Sequence, residues 1–134
     1  MLTCGLWHHR HLFVAVVLEP GGHLGAPLLV ARSDEGWRTF LQHLLASHGR
    51  ECALVATEGL LRVEPVGELA LRHGLAVWCV PQLLAEAIRR VTGLSSGPPK
   101  RSALMLARLP LNPLFRPQLR HHLSPTDGRQ LPLL

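Results

Sequence analysis

His8, His9 and His11 are the densest group of ligand-capable side chains in this sequence. Imidazole suits zinc, but a zinc site needs several donors converging on one point. Side chains around a turn diverge, so the three histidines read as a solvated hairpin and not as a metal centre. His121 and His122 are the next pair, and no spacing ties them to the first group. Cys4, Cys52 and Cys79 each fall in an apolar run. A nucleophilic thiolate needs an exposed, electropositive setting, whereas a buried strand makes the residue a small inert hydrophobe. Cys4 and Cys79 are expected to be near neighbours across central strands. Ser95-Ser96-Gly97 fits neither a nucleophile elbow nor a phosphate loop. No catalytic residue, metal or cofactor is assigned on these grounds.

The most informative charge pattern lies between Glu86 and Asp127. Arg89, Arg90, Lys100, Arg101, Arg108, Arg116 and Arg120 occur there without one acid, in a chain of net charge +5. Such a segment can track a phosphate backbone. The competing reading is that Arg89 and Arg90 answer the dipole at a helix C-terminus, while the later cations solubilise a Pro-rich tail. The candidate nucleic-acid contacts are Arg89, Arg90, Lys100, Arg101 and Arg108. Only Phe115 is interleaved with them as an aromatic, which disfavours reading of single strands by base stacking.

The elements that must position these residues begin with three strands. Residues 2–7 are apolar, residues 11–18 are rich in β-branched residues, and residues 23–31 return after the turn Glu19-Pro20-Gly21-Gly22. Ser33-Asp34-Glu35 opens a helix with Trp37, Phe40, Leu41, Leu44 and Leu45 at helical spacing, closed by Gly49. Residues 51–56 are a parallel strand with Thr57-Glu58-Gly59 as its exit turn, followed by a helix over about 63–73 and a strand over 75–80. Pro81 opens a third helix to about Thr92, with Leu83, Leu84, Ala87, Ile88 and Val91 on its apolar face. Gly93–Pro99 is an irregular linker, and Lys100–Leu109 is a short helix. This order, βββαβαβα, predicts an α/β domain over 1–109 with a mixed five-stranded sheet, its first strand central and helices on its faces. Residues 110–134 are a Pro-rich C-terminal tail, either a docking arm or disordered.

At 134 residues and 47% apolar, the chain is long enough for one buried core. No apolar run reaches the roughly 20 residues of a membrane span. The N-terminus, Met-Leu-Thr-Cys, lacks the basic opening of a signal peptide. A cytoplasmic protein with reduced thiols is expected.

The same element order is the ribonuclease-H-like one, and three strings sharpen the likeness. Gly5-Leu6-Trp7-His8, with its strand pair ending in Glu19-Pro20-Gly21-Gly22, resembles the opening of the N-terminal resolvase-like domain of DEDD-type insertion-sequence transposases. Ala53-Leu54-Val55-Ala56-Thr57-Glu58-Gly59 is similar to their second motif, and Lys100-Arg101-Ser102-Ala103-Leu104-Met105 with Ala107-Arg108-Leu109 to their third. The resemblance covers residues 3–109. It implies a site of four carboxylates holding divalent metal ions for phosphodiester chemistry. Carried over position by position, the first acid falls on Trp7, the second on Val55, and the helical pair on Ser102 and Met105. None of these side chains replaces a carboxylate for a hard cation, and Glu58 enters only in a shifted register. The expectation is a catalytically inactive, transposase-like domain acting as a binding module, with DNA or RNA as its partner. The alternatives are a protein-interaction or homodimerisation module using the Leu-rich tail (Leu109, Leu111, Leu114, Leu119, Leu123), or a decayed transposase remnant.

Overall fold

Leu2–His9 (β1) is buried over its middle on both faces, and the remaining elements are arranged around it. In the computed structural model, which describes residues 1–123, β1 pairs antiparallel with Leu12–Leu18 (β2) and parallel with Cys52–Thr57 (β4). Leu28–Ala31 (β3) lies outside β2, and Val77–Val80 (β5) lies outside β4. A two-residue strand, Arg120–His121 (β6), pairs antiparallel with β5. The sheet is therefore mixed and six-stranded, in the order β3-β2-β1-β4-β5-β6. Five strands and the central place of β1 follow the sequence reading. The sixth is an addition, carried by a segment whose prolines mask its pairing.

Alternation along β1 divides the core into two layers. Cys4 and Leu6 face a cluster with Phe13, Leu54 and Val77, covered by Asp34–His48 (α1), Glu58–Val63 (α2) and Val66–Arg72 (α3). Trp7 faces the opposite cluster with Val55, Trp78 and Met105, covered by Gln82–Val91 (α4) and Pro99–Arg108 (α5). Helix α1 starts as its sequence predicts, with the Ser33 hydroxyl accepting from Gly36 N–H at 2.9 Å.

Several elements differ from the sequence expectation. The third strand begins at Leu28 and not at His23, because Pro27 has no N–H for the ladder; only Leu24 bridges back, to Leu18. The helix expected over 63–73 is α3, Val66–Arg72, and a further helix, α2, precedes it where an exit turn was expected. Thr57 caps α2 directly, its hydroxyl accepting from Leu60 N–H at 3.3 Å, so the exit turn is already helical. Pro65 then forces extended backbone on Glu64 and breaks the run. Helix α4 is rotated by about one residue, ~100°: Ala85 is its buried residue, Leu84 and Ile88 flank the core, and Leu83 and Val91 are 85% exposed. The small Ala85 permits close approach that a leucine would block. The linker holds a short 3-10 turn, Leu94–Ser96.

Residues 110–123 stay against the domain. Leu109, Pro110 and Leu119 are buried, Arg116 lies over Trp78 at 5.6 Å, and His121 stacks on the same indole at 4.2 Å. His122 N–H donates to Val77 C=O at 2.8 Å. Asp127 and the rest of 124–134 lie outside the described residues. No helix among the described residues is long and apolar enough to cross a membrane.

Helix α5 packs backbone against backbone on β1. A Cβ at Gly5 would sit 1.8 Å from Ala103 C=O, so only glycine lets the helix backbone lie against the strand. The Thr3 hydroxyl donates to Ala107 C=O at 2.7 Å one turn further on, in a buried bond. Gly5→Ala is expected to cost about 3 kcal/mol or more, as overpacking against an immovable backbone does. Urea unfolding measures it, and an unchanged midpoint would contradict this packing.

Candidate functional site

Helix α5 runs antiparallel to β1, because Thr3 meets Ala107 while Gly5 meets Ala103. Its first turn therefore lies at the carboxyl end of β1, where Trp7 turns inward. Trp7, Val55 and Met105 share one buried cluster, and Ser102 is buried beside it. The four positions on which the resemblance would place acids thus lie in one buried layer, which they fill with an indole, two apolar side chains and a hydroxyl.

Arg89 packs against this layer. Its guanidinium lies over the Trp7 ring at 4.5 Å, and its Nε donates to the Ser102 hydroxyl oxygen at 3.1 Å. Glu86, one turn earlier on α4, approaches it at 3.6 Å. The Arg89 side chain is only 17% exposed. Sequence reasoning made it a free phosphate contact; here it is a packing residue, because the rotation of α4 turns it towards Trp7. Arg90, next along, is exposed, and so are Lys100 and Arg101 in the first turn of α5. The Arg89–Ser102 bond joins the last turn of α4 to the first turn of α5, and the three exposed cations stand on these two joined turns, hereafter the rim. Arg108 stands apart, seven residues and about 10 Å along α5.

His8 is exposed at the end of the β1–β2 hairpin, as expected, yet it has partners there. Its ring stacks on Trp7 at 4.9 Å, and it lines a crevice of about 280 Å³ with Phe13, Arg32, Thr57, Glu64 and Gln82. Burial lowers its pKa, and Arg89 and Arg32 lower it further against the opposing pull of Glu86. Arg32 lies over Phe13 at 5.0 Å. The sequence reading missed Arg32, since its link to His8 runs across two strand pairings.

Glu58 is engaged elsewhere. Its carboxylate accepts from Gln82 N–H at 3.0 Å, while the Gln82 side-chain oxygen accepts from Gly59 N–H at 3.3 Å. This reciprocal pair caps α4, which has Pro81 at its start and no side-chain cap of its own. Among the described residues, no group of three or more His, Cys, Asp or Glu is arranged to hold a metal ion. Burial raises the pKa of Cys4 well above its ordinary value, and raises that of Cys52 to about 12. Cys52, and not Cys79, is the thiol whose charge acts on Cys4: β4 separates Cys79 from β1.

Searched against protein-family models and curated proteins, the chain matches none.

Arg89→Ala removes a cation–π contact and leaves the Ser102 hydroxyl unpaired, so it is expected to cost about 1–2 kcal/mol. The melting temperature should fall by about 4–8 °C, whereas Arg90→Ala should leave it unchanged. Calorimetric titration with magnesium or manganese should give no heat of binding, since Trp7, Val55, Ser102 and Met105 offer no carboxylate.

Proposed function

We propose that this chain is a ribonuclease-H-like domain, akin to the N-terminal domain of DEDD-type insertion-sequence transposases, that has lost its catalytic acids and binds nucleic acid without cleaving it. The observation that carries the reading is that Trp7, Val55 and Met105 share one buried cluster beside the central strand, with buried Ser102 joined to Trp7 through Arg89. Four positions spread over about a hundred residues thus lie in one layer, which supports the resemblance that would give them a common site. The mixed sheet with β1 at its centre supports the same reading.

Nucleic acid is the partner this reading favours, because the exposed cations Arg90, Lys100 and Arg101 border the same rim. No acid occurs between Glu86 and the last described residue, 123. Each phosphate neutralised there releases counterions, which makes binding favourable and salt-sensitive. Arg89 stabilises the rim from inside and is not itself counted as a contact.

Duplex DNA and structured RNA should bind with affinity that falls steeply as salt rises. Replacing Arg90, Lys100 and Arg101 together by Ala should weaken binding at least tenfold, about 1.4 kcal/mol. It should also flatten the salt dependence by about two to three contacts' worth, and leave the melting temperature unchanged because the three are exposed. Anisotropy titrations across a salt series measure this. A parent protein that fails to bind at physiological salt would refute the reading.

A protein-interaction role is the second reading. It is favoured by the exposed apolar side chains beside α4 and after α5, among them Val91 and Leu114.

A further inference from the structure

One stripe of α5 carries Arg101, Leu104, Met105 and Arg108, at the i, i+3, i+4 and i+7 positions of a single helix face. With Ile88 and Leu94 from one side and Leu109 and Phe115 from the other, this stripe lines an open groove of about 470 Å³. The groove floor is apolar. The charged residues that line it are the two arginines, both exposed, standing about 10 Å apart at the two ends of the stripe.

We propose that this groove docks an amphipathic helix of a partner protein, one that presents an apolar stripe bracketed by acidic side chains two turns apart. Helices dock in grooves by laying an i, i+3, i+4, i+7 face onto an apolar floor. A docked helix that keeps its own acids seven residues apart would match the spacing of Arg101 and Arg108, so the charges complement each other at both ends. Charge of one sign around an apolar floor selects the partner's sign, because a basic helix would bring like charges together at both ends. Next in sequence to groove residues, Val91 before Thr92 is 85% exposed and Leu114 before Phe115 is 77% exposed. Exposed apolar side chains of this kind beside the groove favour a helix over a small ligand.

The inference does not depend on nucleic-acid binding, although Arg101 belongs to both surfaces. It is tested on the full chain with two labelled 15-residue helical peptides. They share one leucine stripe, bracketed by Glu pairs seven residues apart in the first and by Lys pairs in the second. Fluorescence anisotropy at physiological salt should give saturable binding of the Glu peptide, with the Lys peptide at least tenfold weaker. The double variant R101E/R108E should reverse that preference. Leu104→Asp should weaken the Glu peptide at least tenfold, with circular dichroism reporting whether the fold is kept. Arg90→Ala, outside the groove, should change nothing. Equal binding of the two peptides, or no reversal in the double variant, would overturn the proposal. So would failure of the full chain to bind the Glu peptide. Sedimentation that shows a dimer dissociated by R101E/R108E would assign the groove to a second copy of the chain and overturn it as well.

Discussion

Everything on the α4–α5 side of the molecule depends on how closely α5 lies against β1. Helix and strand backbones ordinarily keep side chains between them. At Gly5 there is no side chain, and the Ala103 carbonyl occupies the space where a Cβ would stand. Thr3 then satisfies the Ala107 carbonyl within the interface, so the close approach leaves no polar group unpaired at that point. The contact fixes the height of α5 along the strand. It thereby puts the first turn of α5, with buried Ser102, towards the carboxyl end of β1 and buries Met105 in the same layer as Trp7 and Val55.

Arg89 is the second consequence of that placement. A charge taken this far from water is tolerated only when its hydrogen-bonding capacity and its field are answered. The indole face, the Ser102 hydroxyl and Glu86 together answer it. Its charge also helps lower the pKa of His8, whose ring stacks beside Trp7. Carboxylates at these four positions would draw a cation into the same space; an indole, a valine, a serine and a methionine accept a guanidinium from the protein itself.

Helix α5 thus presents three surfaces. One is pressed on β1, its first turn adds Lys100 and Arg101 to the cationic rim, and the stripe from Arg101 to Arg108 lines the apolar groove. Arg101 belongs to both exposed surfaces. The segment after α5 supports this arrangement from outside. Leu109 and Phe115 form one wall of the groove, while Arg116 and His121 are held by Trp78, which ties the segment to β5 and extends the sheet.

Much of the fold was legible because it rests on local pattern. The β-branched run of β2, the turn at Gly21 and Gly22 with φ of 90° and 87°, and the Ser33 cap of α1 are dictated by backbone preference and period. The central place of β1 followed from a meander succeeded by two helix-separated apolar strands. The residue types at Trp7, Val55, Ser102 and Met105 were equally plain, and none of them is a carboxylate. What the sequence could not decide was rotation and long-range contact. Leucines lie on two sides of α4, and only the close fit of Ala85 against the sheet settles which side turns inward, carrying Arg89 from solvent onto Trp7. The tail offered no strand signal, since two residues between prolines acquire a ladder only when Trp78 and the open edge of β5 are already in place. Glu58 looked like a stray acid until the start of α4 was brought to it. Period and propensity act within a few residues, whereas these three outcomes depend on partners tens of residues away, which only the packed chain brings into contact.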